Sequence, residues 1–132
     1  MSHLGVKILR TIELDFAVMQ LREDGVVTFY GNEDLDGLSV QRIEDLYVAM
    51  ITLTENNPAP LLVSKINHFQ LNSEEKNMIT AKLPSCISAC AIKEDNIMLR
   101  FLVHTFNYLY RPSVPIKLFK TEEEALLWLK AF

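Results

Sequence analysis

Residues 86–92 read Cys86-Ile87-Ser88-Ala89-Cys90-Ala91-Ile92, an uncharged run of small and aliphatic side chains. A strand apolar on both faces belongs in the interior of a sheet, paired to parallel neighbours and covered by helices on each side. This run sets the expected class as α/β, with the strand from Cys86 to Ile92 central. Outward from it the rhythm agrees. Upstream, Leu61 to Ile66 is a short apolar strand, and Ser73 to Leu83 is a helix capped by Ser73 and ended by Pro84. Downstream, Asp95 to Tyr110 is a helix, Pro115 to Phe119 a strand and Thr121 to Phe132 a last helix. Thr121 with Glu124 three residues on forms a capping box, and Ala125, Trp128, Leu129 and Phe132 then share a face.

The N-terminal third has a different period. Val6, Ile8 and Ile12 fall on one alternating face, and Phe16 to Leu21 and Val26 to Tyr30 are two more apolar, β-rich runs. Glu23-Asp24-Gly25 between them is a hairpin turn in which Gly25 supplies the positive φ. Ser39 is an N-cap for a helix in which Ile43, Leu46, Tyr47 and Met50 recur at i, i+3, i+4, i+7, stopped at Asn56-Asn57-Pro58. The order is three strands, then helix and strand in alternation, ending on a helix. It predicts a single mixed β-sheet, an N-terminal antiparallel meander followed by βα units, with right-handed crossovers and helices packed against it. At 132 residues the chain reads as one domain, residues 1–132, large enough to bury a core without disulfides or metal.

Lys plus Arg is 13 against Asp plus Glu 17, a net charge of −4 that repels a polyphosphate backbone and argues against nucleic acid as a partner. Hydrophobic residues make up 49%, too many for a disordered chain and enough to hint at a buried interface. No apolar run reaches the roughly 18–20 residues of a membrane span. The longest, Ile97 to Tyr110, is interrupted by Arg100, His104 and Asn107. Met1 to Lys7 lacks the pattern of a secretory signal, so the expected location is cytoplasmic. Placed in one strand, Cys86 and Cys90 would share a face about 13 Å apart, beyond disulfide reach, and read as small buried hydrophobes.

Signatures of catalysis and cofactor binding are missing. The 4 glycines, Gly5, Gly25, Gly31 and Gly37, form no phosphate-cradling loop, and there is no nucleophile elbow or zinc-binding helix motif. His3, His68 and His104 are scattered, and Cys86 and Cys90 lack a second ligand pair, so no metal and no cofactor is expected. Asn32 to Gly37 resembles the first half of a calcium loop, but the twelfth position is Ile43, where a bidentate carboxylate must close the sphere. It reads as a solvated acidic loop.

Arg100, His104, Asn107 and Arg111, spaced four, three and four apart, line one stripe of an otherwise apolar helix. A partner or an anion could use that stripe; the plainer alternative is the solvated edge of a half-buried helix. Ser73 opens a helix that continues Glu74-Glu75, and capping accounts for it.

Several residues together resemble the SpoIIAA-like (STAS/SEC14) family of small bacterial α/β proteins, related to anti-sigma-factor antagonist domains. They are Leu61-Leu62-Val63-Ser64 leading to the helix at Ser73, Ala91 in the following strand, Asn107 in the next helix, and the tail Pro115-Ile116-Lys117-Leu118-Phe119 with Glu124-Ala125-Leu126-Leu127-Trp128-Leu129. In the antagonist branch a phosphorylatable serine sits at the strand-to-helix turn, and by order Ser73 falls near it as a candidate switch serine. The surrounding motif differs here: Asn72 replaces the acid, and Glu74 and Glu75 stand where Ser and Gly would be. The resemblance implies a non-enzymatic cytosolic interaction module. The expected partners are a second copy in a homodimer, a regulatory protein, or alternatively a small apolar or lipid-like ligand.

Overall fold

The computed structural model describes residues 6–32, 35, 37–64, 71–94, 97–110 and 113–132, and only the backbone of 83, 97–99, 102, 109 and 110. Three strands come first, β1 (Ile8–Glu13), β2 (Ala17–Arg22) and β3 (Val27–Gly31), followed by helix α1 (Val40–Thr54). Then β4 (Ala59–Ser64), α2 (Ser73–Cys86), β5 (Ile87–Lys93), α3 (Ile97–Tyr110), β6 (Ile116–Phe119) and α4 (Glu122–Leu129) alternate, as the sequence predicts. All six strands form one sheet in the order β1-β2-β3-β4-β5-β6. The first two pairings are antiparallel and the last three parallel.

That monotonic order decides where the helices go. Each parallel crossover steps one strand in the same direction, and right-handed crossovers in one direction place their helices on one face. Accordingly Ile43, Met50 and Leu53 of α1, Met78 and Ile79 of α2 and Val103 of α3 join one core with Met19, Val27, Phe29, Leu61 and Cys90 of the sheet. The opposite face would be bare but for α4, whose Ala125, Leu126 and Leu129 pack on Val26, Leu62, Ala89 and Ala91. The alternation of β5 thus divides its small side chains, Ala89 and Ala91 to α4, Cys90 and Ile92 to the three helices. β5 is interior and helix-covered on both faces but fifth of six, so β3 and β4, not β5, are the central strands.

Local signals explain most boundaries. Ser39 Oγ accepts the Arg42 N–H at 3.2 Å, and Gly25 turns the β2–β3 hairpin at φ +88°. The Asp24 carboxylate braces that turn, accepting from Arg22 Nη2 at 2.9 Å and from the Val26 N–H at 3.2 Å. Burial alone would raise the Asp24 pKa; the Arg22 and Val26 hydrogen bonds outweigh it and hold the carboxyl below its usual value. Helix α1 stops at Thr54, just before the expected Asn56-Asn57-Pro58, because Glu55 and Asn56 both take positive φ. Thr121 Oγ1 accepts the Glu124 N–H and donates to Glu124 Oε1, opening α4 as predicted. The Tyr30 hydroxyl donates to Glu122 Oε1 at 3.3 Å and ties α4 to β3; burial, and then that carboxylate, push its pKa up to about 12.

Three expectations are corrected. Helix α2 does not end at Pro84 but runs through it to Cys86. Pro84 falls in the last turn, where the lost N–H costs one hydrogen bond, and Ser85 Oγ donates back to the Lys82 carbonyl at 2.8 Å. Cys86 is therefore helical and does not share a strand face with Cys90, although both are buried free thiols. Ser73 is not the cap of α2 either. Asn72 Oδ1 accepts the Glu75 N–H at 2.8 Å while Glu75 Oε1 accepts the Asn72 N–H at 2.9 Å, a reciprocal capping box that leaves Ser73 exposed in the first turn. Ile66, Asp95, Arg111 and the carboxylates of the acidic loop at 33, 34 and 36 lie outside the described residues.

Candidate functional site

Between the sheet and the three helices lies an apolar cavity of about 160 Å³. Its origin can be read from strand register. Cys90 sits opposite Leu61 of β4 on one side and Ile116 of β6 on the other. A side chain of two heavy atoms between two branched ones leaves a hollow, which α1 roofs with Ile43, Leu46 and Tyr47 and α3 with Val103 and Phe106. Helix α2 closes it with Ile79, Lys82 and Cys86. Among the described residues Lys82 is the only charged one of the lining, and its charge is turned away, since Nζ is 3.2 Å from Glu44 Oε2 and 4.3 Å from the Tyr47 ring centroid. What it gives the wall is its aliphatic stem.

Two thiols stand in the wall, Cys86 and Cys90. Burial pushes the Cys90 thiol up to about 12. Burial also pushes Cys86 up, to about 11, with Lys82 pulling it part of the way back. Both are thus protonated at neutral pH and neither is a thiolate nucleophile. Among the described residues no group of three His, Cys, Asp or Glu is placed to hold a metal. No described helix is long and apolar enough to cross a membrane.

The helix stripe singled out in the sequence divides. Arg100 and His104 are exposed on α3, in company with Phe101 and Tyr108, each 69% exposed. Asn107 turns inward and donates from Nδ2 to the Ile116 carbonyl at 3.2 Å, fastening α3 to β6. Arg111 lies outside the described residues, and Ser73 stands apart from the stripe at the start of α2. Sequence reasoning missed the cavity itself. Its signal was Cys90, a small residue set between the branched Leu61 and Ile116 on the helix-covered face.

Comparison with solved structures places the architecture in a class, that of SpoIIAA-like folds. An uncharacterized protein of the DUF3478 family with a SpoIIAA-like fold, from Shewanella loihica PV-4, aligns over 98% of each chain with a TM-score of 0.53 and 15% identity. At that identity the likeness is one of fold. Residues 19–132 match the family described as domain of unknown function DUF7793, and the chain belongs to that family. No curated protein matches it.

Proposed function

We propose that this domain is a non-catalytic, cytosolic binding module that holds a small apolar molecule in the cavity between its sheet and helices α1, α2 and α3. The single observation that carries the reading is the space itself, about 160 Å³ walled by hydrocarbon and thiol groups. An apolar cavity of roughly 150 Å³ stays dry and accepts benzene. Left empty it forfeits roughly 24 cal/mol per Å³, or about 4 kcal/mol here, which a ligand recovers. Native mass spectrometry of the purified protein and thermal shift with toluene test it. A retained small molecule, or a Tm that rises with toluene concentration, is the expected result, and an unliganded protein indifferent to toluene refutes it.

A second reading rests on a different surface. Phe101 and Tyr108, seven residues apart on the outward face of α3 beside Arg100 and His104, form an exposed aromatic and basic strip suited to a protein partner or a second copy. Sedimentation at micromolar concentration tests self-association. A species near twice 15.1 kDa that Tyr108→Glu dissociates supports it, and a monomer at all concentrations removes the homodimer.

A further inference from the structure

The cavity wall is not chemically uniform. Its described residues turn no nitrogen or oxygen toward the space, and two sulfurs, those of Cys86 and Cys90, interrupt an otherwise hydrocarbon lining. The two thiols differ in what they meet. Cys86 Sγ, in the last turn of α2, donates to the Lys82 carbonyl at 3.7 Å. Cys90 is 7% exposed, and its pKa is moved by burial alone, with no hydrogen bond and no charge beside it. Its S–H is a weak donor that faces an apolar space and has no acceptor among the described residues. Building on the cavity reading above, we propose that the ligand is a single-ring aromatic hydrocarbon that lies with its π face against the Cys90 thiol.

The choice of a ring over a chain is a matter of donors and acceptors. Strand register sets Cys90 between Leu61 and Ile116, whose branched hydrocarbon side chains accept nothing. An alkane in the cavity would add more of the same. An aromatic ring carries a quadrupole with a negative face, and that face accepts a weak donor. Contacts between sulfur and an aromatic ring are worth roughly two- to tenfold in affinity. A ligand bearing a hydroxyl or amino group would also meet the thiol, but the rest of its hydrogen-bonding capacity would be desolvated against a wall that presents no nitrogen or oxygen. The volume of about 160 Å³ matches one ring. Phe29, Tyr47 and Phe106 in the lining supply faces and edges against which that ring packs offset or edge-to-face.

Calorimetric titration of the whole chain with benzene and cyclohexane, a ring with a π face and a ring without one, tests the proposal. Each affinity is taken relative to the compound's partition from water into hexadecane, which removes the difference in hydrophobicity. On that scale benzene should bind about fivefold more tightly than cyclohexane. Cys90→Ala should bring the two level, continued cyclohexane binding showing that the cavity is intact. A second measurement on the same complexes is independent of ring size. The chain has 2 cysteines, so its infrared S–H stretch should show two bands, the lower from Cys86 on the Lys82 carbonyl and the higher, absent in Cys90→Ala, from Cys90. Benzene should move the Cys90 band to lower frequency, and cyclohexane should leave it in place. A Cys90 band that stays put while benzene binds, or benzene and cyclohexane binding on equal terms, overturns the proposal and leaves the cavity reading standing. If neither compound binds, the cavity reading falls as well.

Discussion

Replacing Cys90 by Leu puts two more heavy atoms into the hollow that Cys90 leaves between Leu61 and Ile116. The backbone of β5 is unaffected at this position because its pairing with β4 and β6 is made by main-chain atoms. Two extra buried carbons at about 0.8 kcal/mol each give a stabilisation of about 1–2 kcal/mol. For a 132-residue chain that is about 5 °C in Tm. Urea unfolding is the cleaner assay, since a shift of the midpoint at constant slope isolates stability from any change in compactness. The same variant should lose toluene binding, the space being occupied. Overpacking a filled core typically costs about 1–3 kcal/mol, so a Cys90→Leu protein destabilised by more than about 1 kcal/mol would refute the existence of the cavity and everything built on it.

Trp128 packs between Phe119 and Phe132, at centroid distances of 5.5 and 4.9 Å, but is only partly buried. Trp128→Ala should therefore cost about 3 kcal/mol, the low end for an aromatic truncation, and a loss under about 1 kcal/mol by urea unfolding would mean the ring contributes little to docking α4. Asn72→Ala removes the α2 cap and should cost about 1 kcal/mol, whereas Ser73→Ala should stay within about 0.5 kcal/mol. The reverse ranking would restore Ser73 as the cap. Asp24 has a folded-state pKa below its unfolded value of about 3.8, so its stabilising effect is present above that value and is lost as pH falls through the folded pKa. Asp24→Asn should flatten the acid limb of a stability-against-pH curve without changing its shape near neutrality. Cys90, with its pKa pushed to about 12, should react with a thiol reagent at pH 8 only at the rate of chain opening, and rapid labelling of the native protein would contradict its burial.

Much of the fold was legible because its signals are local. Ser39, Gly25 and the Thr121–Glu124 pair each act within a turn of backbone, so reading them needs no knowledge of the rest of the chain. The same locality explains the errors. Pro84 forfeits its N–H bond and crowds the carbonyl four residues back anywhere past a first turn, a penalty that argues for a helix end, and only the tertiary position of the β5 strand that follows says how far the helix continues. Asn72 and Ser73 are both good cap residues, and the choice between them is made by Glu75, which stands three residues after Asn72 and two after Ser73. The Arg100, His104 and Asn107 spacing shows nearness along a helix but not its rotation, which packing of α3 on β6 sets by drawing Asn107 inward. The cavity was illegible for a deeper reason: a void belongs to strands and helices far apart in the chain, and no residue marks it except by being smaller than its neighbours require.

The strand order, which follows the chain without exception, also bears on how the molecule is assembled in time. No strand has to be inserted between two that are already paired; each new one adds to an edge already built, and each parallel addition brings its own helix. Growth of this kind keeps loop closures short and suits a chain that emerges from its N-terminus. The antiparallel meander can serve as the template, and the edges of β3, β4 and β5 are each open only until the next unit arrives. Under this scheme the cavity is completed late, because its roof waits for α3 and its far rim for β6, and only the face covered by α4 closes after it. A small molecule present during synthesis would then meet an open bowl, and one that arrives afterwards a finished room.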